Sequence, residues 1–290
     1  MGLARTFEAA ADQAQKPAHD AFTALLALGR PLVMGILNVT PDSFSDGGRF
    51  IDPAKAIAHA AAMAAQGADI LDIGAESTRP YGGATPVSAE DEMARLAPVL
   101  PAVLKFGLPV SIDTIKASVA AWALDQGAGV VNDVWGLQRD PAMAKLVAQR
   151  GVLVIVMHNR EAADPDIDII AEVTTFFARS LEIAERAGIA RDKIVLDPGI
   201  GFGKTPEQSI ACIARLAELK RFGLPLLVGA SRKRFINSVA PSSPDQRLGG
   251  SIASHLEAVA NGAAIVRAHD VAETVQSLRV AAAIGRAKES

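Results

Sequence analysis

The sequence predicts an α/β fold, a (β/α)8 TIM barrel with an N-terminal helical extension. Three observations point there. The 290 residues suit a barrel of about 250 residues plus an extension. Eight short, continuously apolar runs alternate with longer amphipathic ones. Glycines recur just past the amphipathic stretches (Gly67, Gly127, Gly151, Gly188, Gly223), where a helix commonly ends in a left-handed residue. An open doubly wound sheet fits eight strands less well, and no dinucleotide-binding fingerprint accompanies them.

Residues 1–30 read as the extension, a helix interrupted by Pro17 that covers the bottom of the barrel, and residues 31–290 as the barrel domain. The apolar runs predict strands at 32–39, 70–75, 109–113, 130–134, 152–158, 194–198, 226–230 and 264–267. Their unbroken apolar character suits parallel strands covered on both faces. Helices are expected at 52–66, 88–104, 115–126, 141–150, 167–187, 206–221, 249–261 and 271–285. The first of these opens with Asp52 as N-cap and Pro53 at the first helical position. The second opens with a capping-box pattern, Ser88 followed by Asp91 and Glu92.

Composition narrows the function classes. Lys plus Arg is 29 and Asp plus Glu is 32, a formal net charge of −3, which does not favour a general nucleic-acid or membrane-surface binder. A single cysteine, Cys212, excludes an internal disulfide and a multi-cysteine metal site. No apolar run approaches the roughly 18 residues that span a bilayer. Charged residues at Arg5, Glu8, Asp12, Lys16 and Asp20 leave no signal-peptide core. The expectation is a soluble, cytoplasmic protein. Aromatics are scarce, with ten Phe, two Trp and one Tyr, so a flat ligand would find little to stack on.

In such a barrel the site lies at the C-terminal ends of the strands. All eight runs end there in polar groups: Asn38; Asp72, Glu76, Thr78 and Arg79; Asp113; Asn132 and Asp133; His158; Asp197; Ser231, Arg232 and Lys233; Arg267, His269 and Asp270. One Asp after one strand reads as a helix cap. Eight polar ends at one height do not, because each unsatisfied buried group costs about 1–3 kcal/mol unless a ligand uses it. Some residues carry simpler readings. Asp42 and Asp46 suit turns, Asp270 suits a cap on the last helix, and Asp72 and Asp133 suit barrel filling or loop fixing. His19, His59 and His255 read as surface or helix residues. The run Gly199-Ile200-Gly201-Phe202-Gly203-Lys204-Thr205 is not a P-loop, because position 198 is Pro, and not a dinucleotide turn, because position 204 is Lys. Lys204 reads as an exposed loop residue. His158 and His269 lack the helical spacing of zinc hydrolases.

With the strand ends laid out, the chain closely resembles the dihydropteroate synthases. The resemblance is carried by the stretches at 34–48, 72–80, 111–114, 131–134, 196–204, 231–234 and 267–271, and covers the chain from about residue 32 onward. It implies condensation of 4-aminobenzoate with (7,8-dihydropterin-6-yl)methyl diphosphate, giving 7,8-dihydropteroate and diphosphate, with Mg2+ assisting. This is a step of folate biosynthesis and the target of sulfonamides. The resemblance assigns Asp113, Asn132, Asp197 and Lys233 to the pterin, with Met157, Phe202 and Arg267 completing that pocket. Asn38, Thr78, Arg79, Arg267 and His269 would bind diphosphate, Asn38 together with the metal. Phe44, Arg79, Pro80 and Ser231 would hold 4-aminobenzoate. Asp113, Asp197, Lys233 and Arg267 are the expected catalytic residues, and a homodimer packed through the last helices is the expected assembly. Ala268 stands where many members have Val, and the second loop beyond Pro80 varies in length across the family.

Two other readings share the barrel. A pterin-dependent methyltransferase would have no diphosphate to meet with Arg267 and His269. A pterin-binding paralogue without catalysis would bind but not turn over.

Overall fold

The computed structural model describes residues 18–40, 52–76 and 87–287. The eight expected strands form: β1 Leu32–Asn38, β2 Ile70–Gly74, β3 Val110–Asp113, β4 Val130–Asp133, β5 Leu153–Met157, β6 Ile194–Asp197, β7 Leu227–Val228 and β8 Ile265–Ala268. All pair in parallel, in the order β6-β5-β4-β3-β2-β1-β8-β7. The two ends of that order meet where Leu196 bridges Leu226 and the Leu196 N–H donates to the Pro225 carbonyl at 3.0 Å. The barrel is thereby nearly closed. β7 is shorter than the run at 226–230 suggested.

Side chains in a strand alternate between faces, so each strand contributes one inner and one outer set. The outer set (Val33, Leu71, Ile73, Ile112, Val131, Val154, Leu196, Val266) packs with the helices into the larger core. The inner set forms a second apolar cluster in the lower barrel: Leu32, Met34, Ile70, Val130, Leu153, Ile155, Val195, Leu227 and Ile265. Two residues further along, the inward positions change character. Ile70 is followed by Asp72, Val130 by Asn132, Ile155 by Met157, Val195 by Asp197 and Ile265 by Arg267. The period of two thus converts one sequence trend, apolar then polar, into a greasy floor beneath a polar mouth.

The helices form where expected, with shifted ends. The helix Pro53–Ala65 is capped by the Asp52 carboxylate, which accepts from the Ala54 and Lys55 N–H groups. Ser88 Oγ accepts from the Asp91 N–H and starts Ala89–Leu96. The expected 88–104 helix is not continuous. It ends at Leu96 and resumes only as the short turns Leu100–Val103 and Leu104–Phe106. Pro98 and Pro101 explain the break, since each lacks an amide N–H and crowds the preceding turn. The 206–221 helix likewise gives way at Arg215 to the 3-10 segment Leu216–Phe222. A further short helix, Arg234–Val239, follows β7, outside the ranges that periodicity predicts. Among the described residues no helix is long and apolar enough to cross a membrane.

The helix Ala18–Leu26 precedes β1. Its Phe22 is fully buried within the inner cluster, with Leu25 and Leu26 packed behind it. The inner cluster would otherwise meet water at the lower end of the barrel, and the Phe22 ring covers it there. Phe22→Ala is expected to lower stability by about 3–5 kcal/mol, the cost of a large aromatic cavity. Urea denaturation checks this; a loss under about 1 kcal/mol would show that the ring does not seal the barrel floor.

Candidate active site

The polar mouth is organised around Arg267. Its Nε donates to Asp72 Oδ2 at 2.6 Å and one terminal nitrogen donates to Asp113 Oδ2 at 2.9 Å. Asp72 Oδ2 also accepts from Asn132 Nδ2 at 3.1 Å. One guanidinium therefore links β8 to β2 and β3, and Asp72 extends the link to β4. Register places these groups side by side: Asp113 is opposite Asn132, and Met157 is opposite Asp197. Asp72, Asn132, Met157 and Asp197 are buried, and Asp113 and Arg267 are largely so.

Several acceptors in this cluster are left over. Asp72 Oδ1, Asp113 Oδ1, Asn132 Oδ1 and the Ser111 hydroxyl are buried and have no hydrogen-bond partner among the described residues. Buried oxygens of this kind are costly in a protein that uses them only for folding. They concentrate unmet hydrogen-bond acceptors in the barrel interior around Arg267.

Burial dominates the electrostatics. It pushes the Asp113 carboxyl up to about 7, with the Arg267 guanidinium pulling it back down and the neighbouring Asp72 and Glu92 carboxylates raising it further. Asp197 is pushed up to about 6 by burial, against the Gly199 N–H that donates to its Oδ1 at 2.7 Å and the Lys233 and Arg267 cations. Burial alone would lower Arg267, but Asp72 and Asp113 more than offset it, so the guanidinium stays charged.

The loops after β6, β7 and β8 close one side. The Lys233 ammonium stands 4.0 Å over the Phe202 ring, a cation–π contact. Ser231 Oγ accepts from the His269 N–H at 3.2 Å and lies 3.0 Å from His269 Nδ1. A hydroxyl can donate to that nitrogen, which would leave the His269 Nε2–H as a donor. Burial, with the Arg267 and Arg232 cations, holds His269 down to about 3, so it stands neutral. Arg232 sits in the left-handed region at φ 56 and pairs with the Asp270 carboxylate. Asp270 stands directly before the last helix, its carbonyl accepting from the Thr274 N–H at 3.1 Å, while its carboxylate takes this ion pair. Asn38, at the end of β1, is half-buried beside the mouth.

The structure thus brings together Asp113, Asn132, Met157, Asp197, Phe202, Lys233, Arg267, Ser231 and His269. Thr78, Arg79, Phe44 and Pro80 lie outside the described residues. Asp72, which by sequence reads as barrel filling or loop fixing, fills the barrel interior and is a central acceptor of the cluster. Its inward register, two residues past Ile70, is the signal that could have found it. Asp133 is a loop-fixing residue: its oxygens accept from the Trp135 and Leu137 N–H groups at 2.9 and 2.7 Å. Lys204 is not exposed as its loop position suggested. It is 5% exposed and fully hydrogen-bonded beneath the loop. His255, though helical, is fully buried.

Known proteins match this arrangement. The model of the pterin binding enzyme family matches residues 34–269. The dihydropteroate synthase of Bacillus subtilis is 43% identical over 263 residues, spanning 90% of this chain and 91% of the relative. The solved dihydropteroate synthase of Xanthomonas albilineans with 4-aminobenzoic acid superposes with a TM-score of 0.85 at 45% identity, covering 89% of this chain and 94% of that one. The same organism's synthase in complex with 7,8-dihydropteroate gives a TM-score of 0.81 at 42% identity, covering 89% and 95%. The chain belongs to the pterin-binding enzyme family and, within it, to the dihydropteroate synthases.

Proposed function

We propose that the mouth of this barrel condenses 4-aminobenzoate with (7,8-dihydropterin-6-yl)methyl diphosphate, releasing 7,8-dihydropteroate and diphosphate. The observation that carries this reading is the set of buried, unpartnered oxygens around Arg267. A dihydropterin edge is rich in N–H donors, and Asp113, Asn132 and Asp197 offer matching acceptors. Lys233 supplies a donor for the ring carbonyl. Met157 and Phe202 supply apolar wall, and the Arg267 plane covers one ring face.

In the reaction the bond between the methylene carbon and the diphosphate oxygen breaks, and a C–N bond to the aminobenzoate nitrogen forms. The amine attacks in its neutral form and loses one proton to solvent or to the departing diphosphate. No residue is needed as a strong base. As the C–O bond lengthens, positive charge spreads into the pterin ring and negative charge gathers on the leaving group. Asp113 and Asp197 face the first, and Arg267 with the neutral His269 donor faces the second. Asn38, with Thr78 and Arg79, would complete the diphosphate pocket. Phe44, Pro80, Arg79 and Ser231 would hold 4-aminobenzoate.

The donor set suits Mg2+ that arrives with substrate. Among the described residues no group of three or more His, Cys, Asp or Glu side chains could hold a metal alone. The half-buried Asn38 amide is a neutral oxygen donor, which fits a partly hydrated Mg2+ held mainly by phosphate oxygens. When bound there, the ion would neutralise charge on the diphosphate. A second copy of the chain packing on the last helix is supported by the exposed Val280 and Ile284 on Val271–Ala287. The cytoplasm suits a chain whose one cysteine, Cys212, is buried and free.

The test of the reaction is diphosphate release that requires both substrates, run with and without Mg2+. Pterin binding without turnover would sink the synthase reading. Asp113→Asn should cut kcat by roughly 10²-fold while pterin affinity falls far less, because the lost charge matters most in the transition state. Turnover close to wild type would remove Asp113 from that role. Only carboxylates stabilise a cation, so kcat/KM for the pterin diphosphate should rise as pH climbs through about 6 and 7. Asp113→Asn should remove the upper step from that profile. Stability of the unliganded protein should run the other way. Both folded-state values lie above the ordinary 3.8, so this contribution is fully present below about pH 4 and is lost as pH rises through 6 and 7. Denaturation at several pH values measures it, and a contribution that grew with pH would contradict the buried-acid assignment.

A further inference from the structure

Beneath the mouth lies a buried charge that the reaction above does not use. Lys204 ends the loop that follows β6. Its ammonium donates to His158 Nδ1 at 2.6 Å, to the Gly199 carbonyl at 2.9 Å and to the Phe202 carbonyl at 3.0 Å. An ammonium has exactly these three N–H donors to give, and each is used on a neutral acceptor. Burial lowers the Lys204 amine to about 8, so it remains mostly charged near neutrality. A buried cation without a carboxylate in contact is expensive, and an apolar residue would serve folding alone at lower cost.

What the ammonium stitches together is specific. Gly199 lies so close to the end of β5 that a Cβ there would come within 1.9 Å of the His158 carbonyl oxygen. Gly203 would meet Arg160 in the same way, at 2.4 Å from its Cβ. The loop after β6 therefore lies flush on the end of β5, with Lys204 bonded to both. Each carbonyl it holds belongs to a residue with a task at the mouth. The Gly199 N–H fixes the Asp197 carboxylate, and the Phe202 ring carries the Lys233 ammonium.

We propose that Lys204 is a positioning residue for the pterin pocket: by pinning the Gly199 and Phe202 carbonyls against His158, it aims the Asp197 carboxylate and seats Phe202 under Lys233. It acts through these residues and touches no substrate itself. The inference rests on the synthase reading, and the test separates the two.

Lys204→Met, which keeps length and removes the three donors, is compared in the full chain with wild type and with Phe22→Ala. The latter is destabilised at the opposite end of the barrel. KM for the pterin diphosphate and its affinity by calorimetry should weaken about tenfold or more in Lys204→Met, since small misplacements of binding groups are costly. KM for 4-aminobenzoate should stay within about threefold, because the groups that Lys204 positions, Asp197 and Phe202, are assigned to the pterin. Phe22→Ala should lose thermal stability with both KM values unchanged. Lys204→Gln, which retains two donors, should fall between Met and wild type and serves alone if the Met variant does not fold. Wild-type KM values for both substrates in a folded Lys204 variant would overturn the assignment. So would an equal rise in both, which would mark a general loss of order. A wild type that releases no diphosphate overturns the reaction itself, and the positioning role with it.

Discussion

The mouth of this barrel depends on one buried guanidinium. Arg267 stands on β8 between Asp72 on β2 and Asp113 on β3, bonded to both. Without it, two carboxylates would share a buried space, and like charges there cannot both persist. Without them, a charged guanidinium would stand uncompensated in a low-dielectric interior, where breaking such a pair costs about 3–5 kcal/mol. The three groups specify one another. The geometry also needs a guanidinium rather than an ammonium, because two different nitrogens point at two different strands.

That ion cluster is also an unfinished one. Each carboxylate gives one oxygen to Arg267 and keeps the other without a partner among the described residues. Asn132 gives one amide hydrogen to Asp72 and keeps its oxygen. The fold thereby balances the charge of the cation and leaves the acceptors half used. A ligand bearing several N–H donors recovers that unmet bonding, and a cation forming within the ligand meets the surplus of carboxylate. Binding and charge stabilisation come from the same atoms.

Much of the barrel was legible because local rules suffice for it. Strands covered on both faces must be apolar throughout, and helix caps are local, as Asp52 and Ser88 illustrate. The misses have equally local causes: Pro98 and Pro101 cut a helix that periodicity alone continued. The site was legible in outline because chemistry gathers where strands end. Asp113, Asn132, Asp197 and Arg267 could be picked out one per strand. Asp72 and Lys204 each carry a plausible isolated reading: the inward register of Asp72 hints at its place, but its partners Asn132 and Arg267 come from distant strands, and Lys204 meets His158 only across the end of β5.

By itself, then, the sequence determined the element order, the alternation that closes the barrel, the end of the barrel that carries polar chemistry, and the family resemblance. These follow from periodicity, caps and spacing, all within reach of a few neighbouring residues. The tertiary structure decided which polar groups meet. It set Arg267 against Asp72 across 195 positions of chain and Lys204 against His158 across 46. Such pairings are fixed by strand register and by where glycine lets two loops lie flush, and burial then sets their charge states. Neither register nor burial is a property of any short stretch of sequence.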